Sequence, residues 1–259
     1  MFSWLKLNVH ILTIHAALNC SNLPMIFILT NDDGFDAPGI AAMKAALGDR
    51  PSLTVAPDRP LSGCSHQLNR GGPIAIDGRG DSRYAVGGTP ADCTRVALSY
   101  LHPDATPTSA VKETYVLSGI NAGGNMGADI YVSGTVAAVR EATLMRVPGI
   151  AISQYIFQQQ PIDWERTIKL SAQVIDKLLS LPHPPGTFWN VNLPFPQPGG
   201  SEPKMVFCNC CTQPLPTQFA VENSQFRYVG RYGDRQRDPG GDVDVCLSGN
   251  ISITQIRLW

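Results

Sequence analysis

Two adjacent carboxylates, Asp32 and Asp33, stand in Asn31-Asp32-Asp33-Gly34, directly after the apolar run Met25 to Thr30. Like charges this close stay ionised together only beside a cation or strong hydrogen-bond donors. Hard oxygen donors of this kind take Mg²⁺, Mn²⁺ or Ca²⁺. The same four residues would equally serve as a plain turn capped by Asn31 or Asp32, and spacing alone does not separate the two. A second polar segment, Ser118 to Gly127, carries Gly119, Gly123, Gly124 and Gly127, enough glycine for backbone N–H groups to approach an anion. It departs from the Gly-x-Gly-x-x-Gly dinucleotide pattern and lacks the Gly-Lys-Ser/Thr of a P-loop, which argues against nicotinamide and ATP-hydrolysing chemistry.

Ser133-Gly134-Thr135 opens a helical stretch, where free N–H groups and the positive dipole end form another anion cradle, or simply an N-cap. Ser62, Ser118 and Ser133 all precede glycine, yet none lies in a Gly-x-Ser-x-Gly elbow, so a serine nucleophile is disfavoured. His66 follows Ser62 by four residues. It either protonates a leaving oxygen or is a hydrogen-bonded structural histidine, the commoner role.

The elements that must position these groups read as alternating strands and helices. Met25 to Thr30 is a buried parallel strand ending at Asn31. Pro38 to Leu47 is a helix with Pro38 at its start and Gly48 closing it, and Leu53 to Ala56 completes a right-handed βαβ unit. Further strands are expected at Tyr84 to Gly87, Tyr115 to Leu117, Ile150 to Ser153 and Trp189 to Leu193. Helices are expected over 90–101, from Gly134, and over 164–181. Nine of the 21 prolines fall between Pro182 and Pro216, which makes that stretch extended and loop-rich. Asn250 to Ile256 alternates polar and apolar, as an exposed or partner-facing strand would.

The fold class is therefore α/β: a doubly wound, Rossmann-like three-layer core over 25–195 with a β-rich C-terminal appendage over 196–259. Residues 1–24 read as an extension upstream of the functional start, with a cleaved signal as the alternative. In such sheets ligands collect at the carboxyl ends of the strands, where the segments at Asn31, Asp58 to Gly63 and Ser118 to Gly127 converge.

Composition narrows the function. The 259 residues carry 20 Lys+Arg against 21 Asp+Glu, a net charge of -1 without basic runs, so nucleic acid is not an expected partner. No window reaches the roughly 18 to 20 apolar residues of a membrane span, so no membrane association is expected either. Seven cysteines, an odd number, read as reduced thiols in a cytoplasmic protein, and Cys208, Cys210 and Cys211 lack the second ligand pair that zinc requires.

With NDDG (31–34), APG (37–39), APDRPLSG (56–63), GGTPADC (87–93), SGINAGGNMG (118–127) and SGTVAAVREA (133–142), the chain resembles the SurE family. These survival-protein-E phosphatases are metal-dependent 5′/3′-nucleotidases. The six motifs run in the family's order across residues 25–155. The resemblance implies a divalent ion, Mg²⁺ or Mn²⁺ with Ca²⁺ as a further hard cation, held by Asp32, Asp33, Ser62 and Asn121. It places Asn125, Ser133, Gly134 and Thr135 around the phosphate, and makes Asp32, Asp33 and Asn125 catalytic, with His66 beside them if it is the acid. It also implies a nucleoside monophosphate substrate and a homodimer or homotetramer built through the C-terminal segment.

Two departures stand out. Asp242-Val243-Asp244 occupies the place of a common Asp-Thr-Asp, and the tail SITQIRLW lacks the usual Thr-Pro-Leu ending. Two other functions use the same pocket: a catalytically silent nucleotide-binding module, and a phosphatase acting mainly on polyphosphate. Loss of a metal ligand would favour the silent module, and all four ligand types are present.

Overall fold

The computed structural model describes residues 25–102, 114–196, 201–230 and 232–259, so the extension expected over 1–24 lies outside the described residues. The first apolar run forms β1 (Ile26–Thr30), followed by α1 (Pro38–Leu47) and β2 (Ser52–Pro57). Pro38 starts α1, and Gly48 closes it with φ of 62°. After β3 (Ile76–Gly78) and β4 (Arg83–Val86) comes α2 (Pro90–Val96), where Thr89 and Asp92 form a reciprocal capping box. The helix expected over 90–101 changes to π-helical winding at Ala97–Leu101.

The chain continues through β5 (Thr114–Ala122), α3 (Gly134–Leu144), β6 (Gly149–Gln154), α4 (Trp164–Leu179) and β7 (Thr187–Leu193). The C-terminal part adds β8 (Met205–Phe207), a separate hairpin of β9 (Phe219–Glu222) and β10 (Gln225–Tyr228), α5 (Asp242–Leu247) and β11 (Ile251–Arg257).

Nine strands join in one sheet in the order β3-β4-β2-β1-β5-β6-β7-β11-β8. From β4 through β7 the strands are parallel, and β3 and β11 run antiparallel to their neighbours β4 and β7. The helices α1 and α4 pack on one face, α2 and α3 on the other. This is the three-layer α/β architecture expected, with extra C-terminal strands. The chain steps from β1 outward to β2 and β4, then returns to β5 on the opposite side of β1. Such a reversal opens a crevice at the carboxyl ends of the strands, here between β1 and β5.

The C-terminal strand departs from expectation. Rather than facing a partner, β11 lies inside the sheet between β7 and β8, with Ile251 through Thr254 buried. Ile251 and Ile253 join the core beneath α1 and α4. Ser252 and Thr254 pair with Asn192 and Asn190 of β7, so the polar half of the alternation is a buried polar layer. The segment expected to be β-rich contains β8 to β11 and, between β10 and β11, α5. Among the described residues no helix is long and apolar enough to cross a membrane.

Candidate active site

Everything at the crevice begins with the turn after β1. Asn31 is buried and grips Gly34 from both sides: its Nδ2 donates to the Gly34 carbonyl at 2.8 Å and its Oδ1 accepts the Gly34 N–H at 3.2 Å. Gly34 has φ of 105°, the left-handed region that favours glycine. The turn interpretation of Asn31 therefore holds, and it is the device that presents the two aspartates. Asp32 is 4% exposed, and its Oδ1 accepts the Thr135 hydroxyl at 2.5 Å. Burial pushes its carboxyl up to about 6; Thr135 opposes the rise and the neighbouring Asp33 charge adds to it. Asp33 Oδ2 accepts the Ala122 N–H at 3.0 Å, joining the end of β1 to the end of β5.

Thr135 arrives at Asp32 because α3 begins there. Ser133 caps the helix, its Oγ accepting the Val136 N–H at 3.1 Å. Gly134 follows at the closest approach: a Cβ there would lie 2.8 Å from Asp32 Cβ and 2.9 Å from Cys64 Sγ. Ser133 is therefore an N-cap, and the positive start of α3 lies against the Asp32 carboxylate.

The glycine-rich segment supplies the third wall. Asn121 Nδ2 donates to the Gly123 carbonyl at 2.8 Å, which leaves Oδ1 as the amide's acceptor atom. Asn125 is 8% exposed, and its Nδ2 donates to Ser153 Oγ at 2.8 Å. Its backbone is held by β7: the N–H donates to Asn192 Oδ1 at 2.7 Å, and the carbonyl accepts Asn190 Nδ2 at 2.8 Å. Farther along, the buried Asp242 carboxylate accepts the N–H groups of Gly127, Cys211 and Val243, each at 2.8 Å. Burial raises the Asp242 carboxyl, and these donors hold it back.

Asn190, Asn192 and Asp242 escaped the sequence reading as parts of the site. The signal for the first two was present in Trp189-Asn-Val-Asn-Leu193, where amides alternate with apolar residues in a strand that must be buried on both faces.

Ser62 lies on the loop after β2 and is exposed, and that loop is docked by the Leu61 N–H donating to the Asp32 carbonyl at 2.7 Å. His66, on the same loop, makes a 2.8 Å contact through Nε2 with Oε2 of the buried Glu141 on α3. Glu141 also accepts Arg95 Nε through its other oxygen. Burial raises the Glu141 carboxyl, but the bonds from His66 and Arg95 outweigh it and hold the group below its usual range. The ring nitrogen Nε2 is thus engaged with Glu141.

Among the described residues no three His, Cys, Asp or Glu side chains converge, so a soft or all-charged metal centre is not what this site offers. Asp32 and Asp33 follow β1, Asn121 ends β5 and Ser62 lies on the loop after β2; carboxylate, amide and hydroxyl oxygens are the donor types that suit a hard divalent cation. The raised Asp32 carboxyl fits as well, since a buried carboxylate beside a second one is stabilised by a positive charge. The six described cysteines are free, and burial next to Asp242 pushes the Cys210 thiol up to about 12.

The family described as Survival protein SurE matches residues 27–214. A protein of Nostoc sp. is 51% identical over 234 residues, covering 90% of this chain and 100% of that one. A relative named 5′-nucleotidase SurE, from Alkalilimnicola ehrlichii, is 33% identical over 239 residues and covers 90% of each chain. Among solved structures, the SurE protein from Aquifex aeolicus superposes with a TM-score of 0.76 at 29% identity, over 90% of this chain and 93% of that one.

Proposed function

The chain belongs to the survival protein SurE family, and we propose that it hydrolyses nucleoside 5′-monophosphates, and 3′-monophosphates as a secondary activity, to nucleoside and phosphate. The observation that carries this reading is the convergence of the Asp32-Asp33 pair, the Asn121 loop and the start of α3 at the β1/β5 switch point. Phosphoryl transfer needs negative charge on the equatorial oxygens offset and water aligned with the leaving oxygen, which a cation held by the carboxylates together with the N–H groups at the start of α3 could do without a protein nucleophile.

In this reading Asp32, Asp33, Ser62 and Asn121 hold one Mg²⁺ or Mn²⁺, with Ca²⁺ as a fitting substitute. When bound, that ion offsets phosphoryl charge and acidifies a water molecule. Gly134 lets Asp32 and Cys64 pack directly against the start of α3, whose free N–H groups would face the phosphoryl group. The Thr135 hydroxyl is committed to Asp32 and therefore orients the carboxylate. Asn125 keeps an amide hydrogen beyond its bond to Ser153, available to a phosphoryl oxygen. His66, engaged with Glu141, acts as a positioning residue for the Ser62 loop.

The protein is further proposed to work in the cytoplasm as a homodimer or homotetramer. Supporting this, the β9–β10 hairpin exposes Phe219, Val221, Phe226 and Tyr228, an apolar surface of the kind that subunits bury. Phosphate release from nucleoside monophosphates and from polyphosphate, with and without EDTA, tests the activity. Preference for polyphosphate over every nucleotide would overturn it, and sedimentation as a monomer would overturn the assembly.

A further inference from the structure

Beyond the metal and phosphate groups, the Gly123-Gly124 turn forms one wall of a cleft of about 810 Å³ whose other walls include Tyr155, Phe157 and Tyr232. Tyr155 follows directly on β6, the strand beside β5, while Asp32 and Asp33 follow β1 on the other side of β5. Two strand spacings, roughly 10 Å, separate them, a distance a nucleoside monophosphate can bridge. Resting on the nucleotidase reading above, we propose that this cleft takes the nucleobase of the substrate, with Phe157 as the stacking surface.

Phe157 is 44% exposed, which leaves part of its ring open to the cleft, and is backed by Phe195 at 5.8 Å between ring centroids. Tyr232 is fixed before any ligand arrives. Its hydroxyl donates to Asp129 Oδ2 at 2.6 Å, the same oxygen accepts Arg235 Nη1 at 2.7 Å, and the Arg235 guanidinium lies 4.9 Å over the ring. Tyr155 sits beside it with centroids 6.2 Å apart. An aromatic wall of this kind suits the π-face of a base.

The edge of a base needs donors and acceptors, and the neighbouring turn has both. Gln158 and Gln159 are exposed, with φ of 48° and 57°. Their carboxamides each carry a donor and an acceptor, the pattern that pairs with base edges. The bond from Asn121 Nδ2 to the Gly123 carbonyl links this wall to the metal side, so base and phosphate would be held by one loop.

The test compares kcat/KM for ribose 5-phosphate with that for the best of AMP, GMP, CMP and UMP. The wild-type protein is expected to favour the nucleotide by about tenfold or more, the scale of one base–aromatic stack. Phe157→Ala, an exposed change, should bring the ratio to within about twofold of unity, and Phe157→Trp should restore it. An unchanged ratio in Phe157→Ala, or no nucleotide preference in the wild type, overturns the base cleft while leaving the phosphatase reading intact. Hydrolysis of neither compound by the folded, Mg²⁺- or Mn²⁺-supplied wild type would instead overturn the nucleotidase reading itself.

Discussion

Gly134 and Asp32 meet with no room for a side chain between them: a Cβ on Gly134 would sit 2.8 Å from Asp32 Cβ and 2.9 Å from its Oδ2. The start of α3 and the end of β1 are thereby locked at a separation only glycine permits. Gly134→Ala should displace Asp32 or the helix start by a few tenths of an ångström or more. Misplacement on the ångström scale costs about 10²-fold in rate, so phosphate release should fall steeply, with a lower melting temperature. Gly71→Ala, where a Cβ would meet nothing within 4 Å, is the matched control and should keep activity. Equal activity in the two variants would show that the contact is not part of the site.

Asp242 ties α5 to the glycine-rich segment through the Gly127 N–H. Asp242→Asn preserves shape but replaces one acceptor oxygen with an NH₂ group, which cannot serve both sets of N–H donors. An unsatisfied buried group costs about 1–3 kcal/mol, so chemical denaturation should show a loss of that size. KM for the nucleotide should rise with it if Gly127 positions the substrate loop. Stability unchanged within error would mean the segment is anchored elsewhere.

Asp32 and Glu141, both buried, predict opposite pH effects in the metal-free protein. Asp32 is raised, from 3.8 to about 6, so its ionised form opposes folding: its penalty appears as pH rises through that window and is fully present above 6. Asp32→Asn should then raise the metal-free melting temperature at pH 7.5, by an amount corresponding to about 1–2 kcal/mol, and less at pH 5. Glu141 is lowered, so its contribution is present above its ordinary value of 4.5 and is lost on acidification below it. Thermal melts of the wild type, Asp32→Asn and Glu141→Gln from pH 4 to 8 check both signs. A lower melting temperature for Asp32→Asn at pH 7.5 would contradict the first.

Local signals carried most of the fold. The MIFILT run, Pro38 with Gly48, and Thr89-Pro-Ala-Asp92 each specify an element by themselves, and the structure has β1, α1 and α2 there. The C-terminal strand failed because alternation says which residues share a face, and says nothing of what covers it. The polar face of β11 meets Asn190 and Asn192, which no short-range pattern reveals. The same limit applies to the site. The types and order of Asp32, Asp33, Asn121 and Gly134 were legible, whereas the Asn192 grip on Asn125 and the Asp242 grip on Gly127 span 67 and 115 residues of chain.

The contact of His66 Nε2 with Glu141 favours a positioning role over acid catalysis. With Nε2 engaged by Glu141, it should act by holding the Ser62 loop. His66→Gln should therefore keep activity within about tenfold, and the pH profile of kcat should retain its shape. Loss of 10²-fold or more with disappearance of one limb of that profile would identify a general acid instead.

The most direct measurement of the proposed centre is phosphate release from AMP by the wild type and Asp33→Asn, each stripped with EDTA and then titrated with Mg²⁺ or Mn²⁺. Asp33 bonds the Ala122 N–H and lies outside the tight Asp32–Thr135–Gly134 packing, so its amide should fold normally. The expected result is a wild type silenced by EDTA and restored by the metal, with Asp33→Asn slower by 10²-fold or more at any metal concentration reached. Near-wild-type, EDTA-sensitive activity in Asp33→Asn would place the cation on other residues.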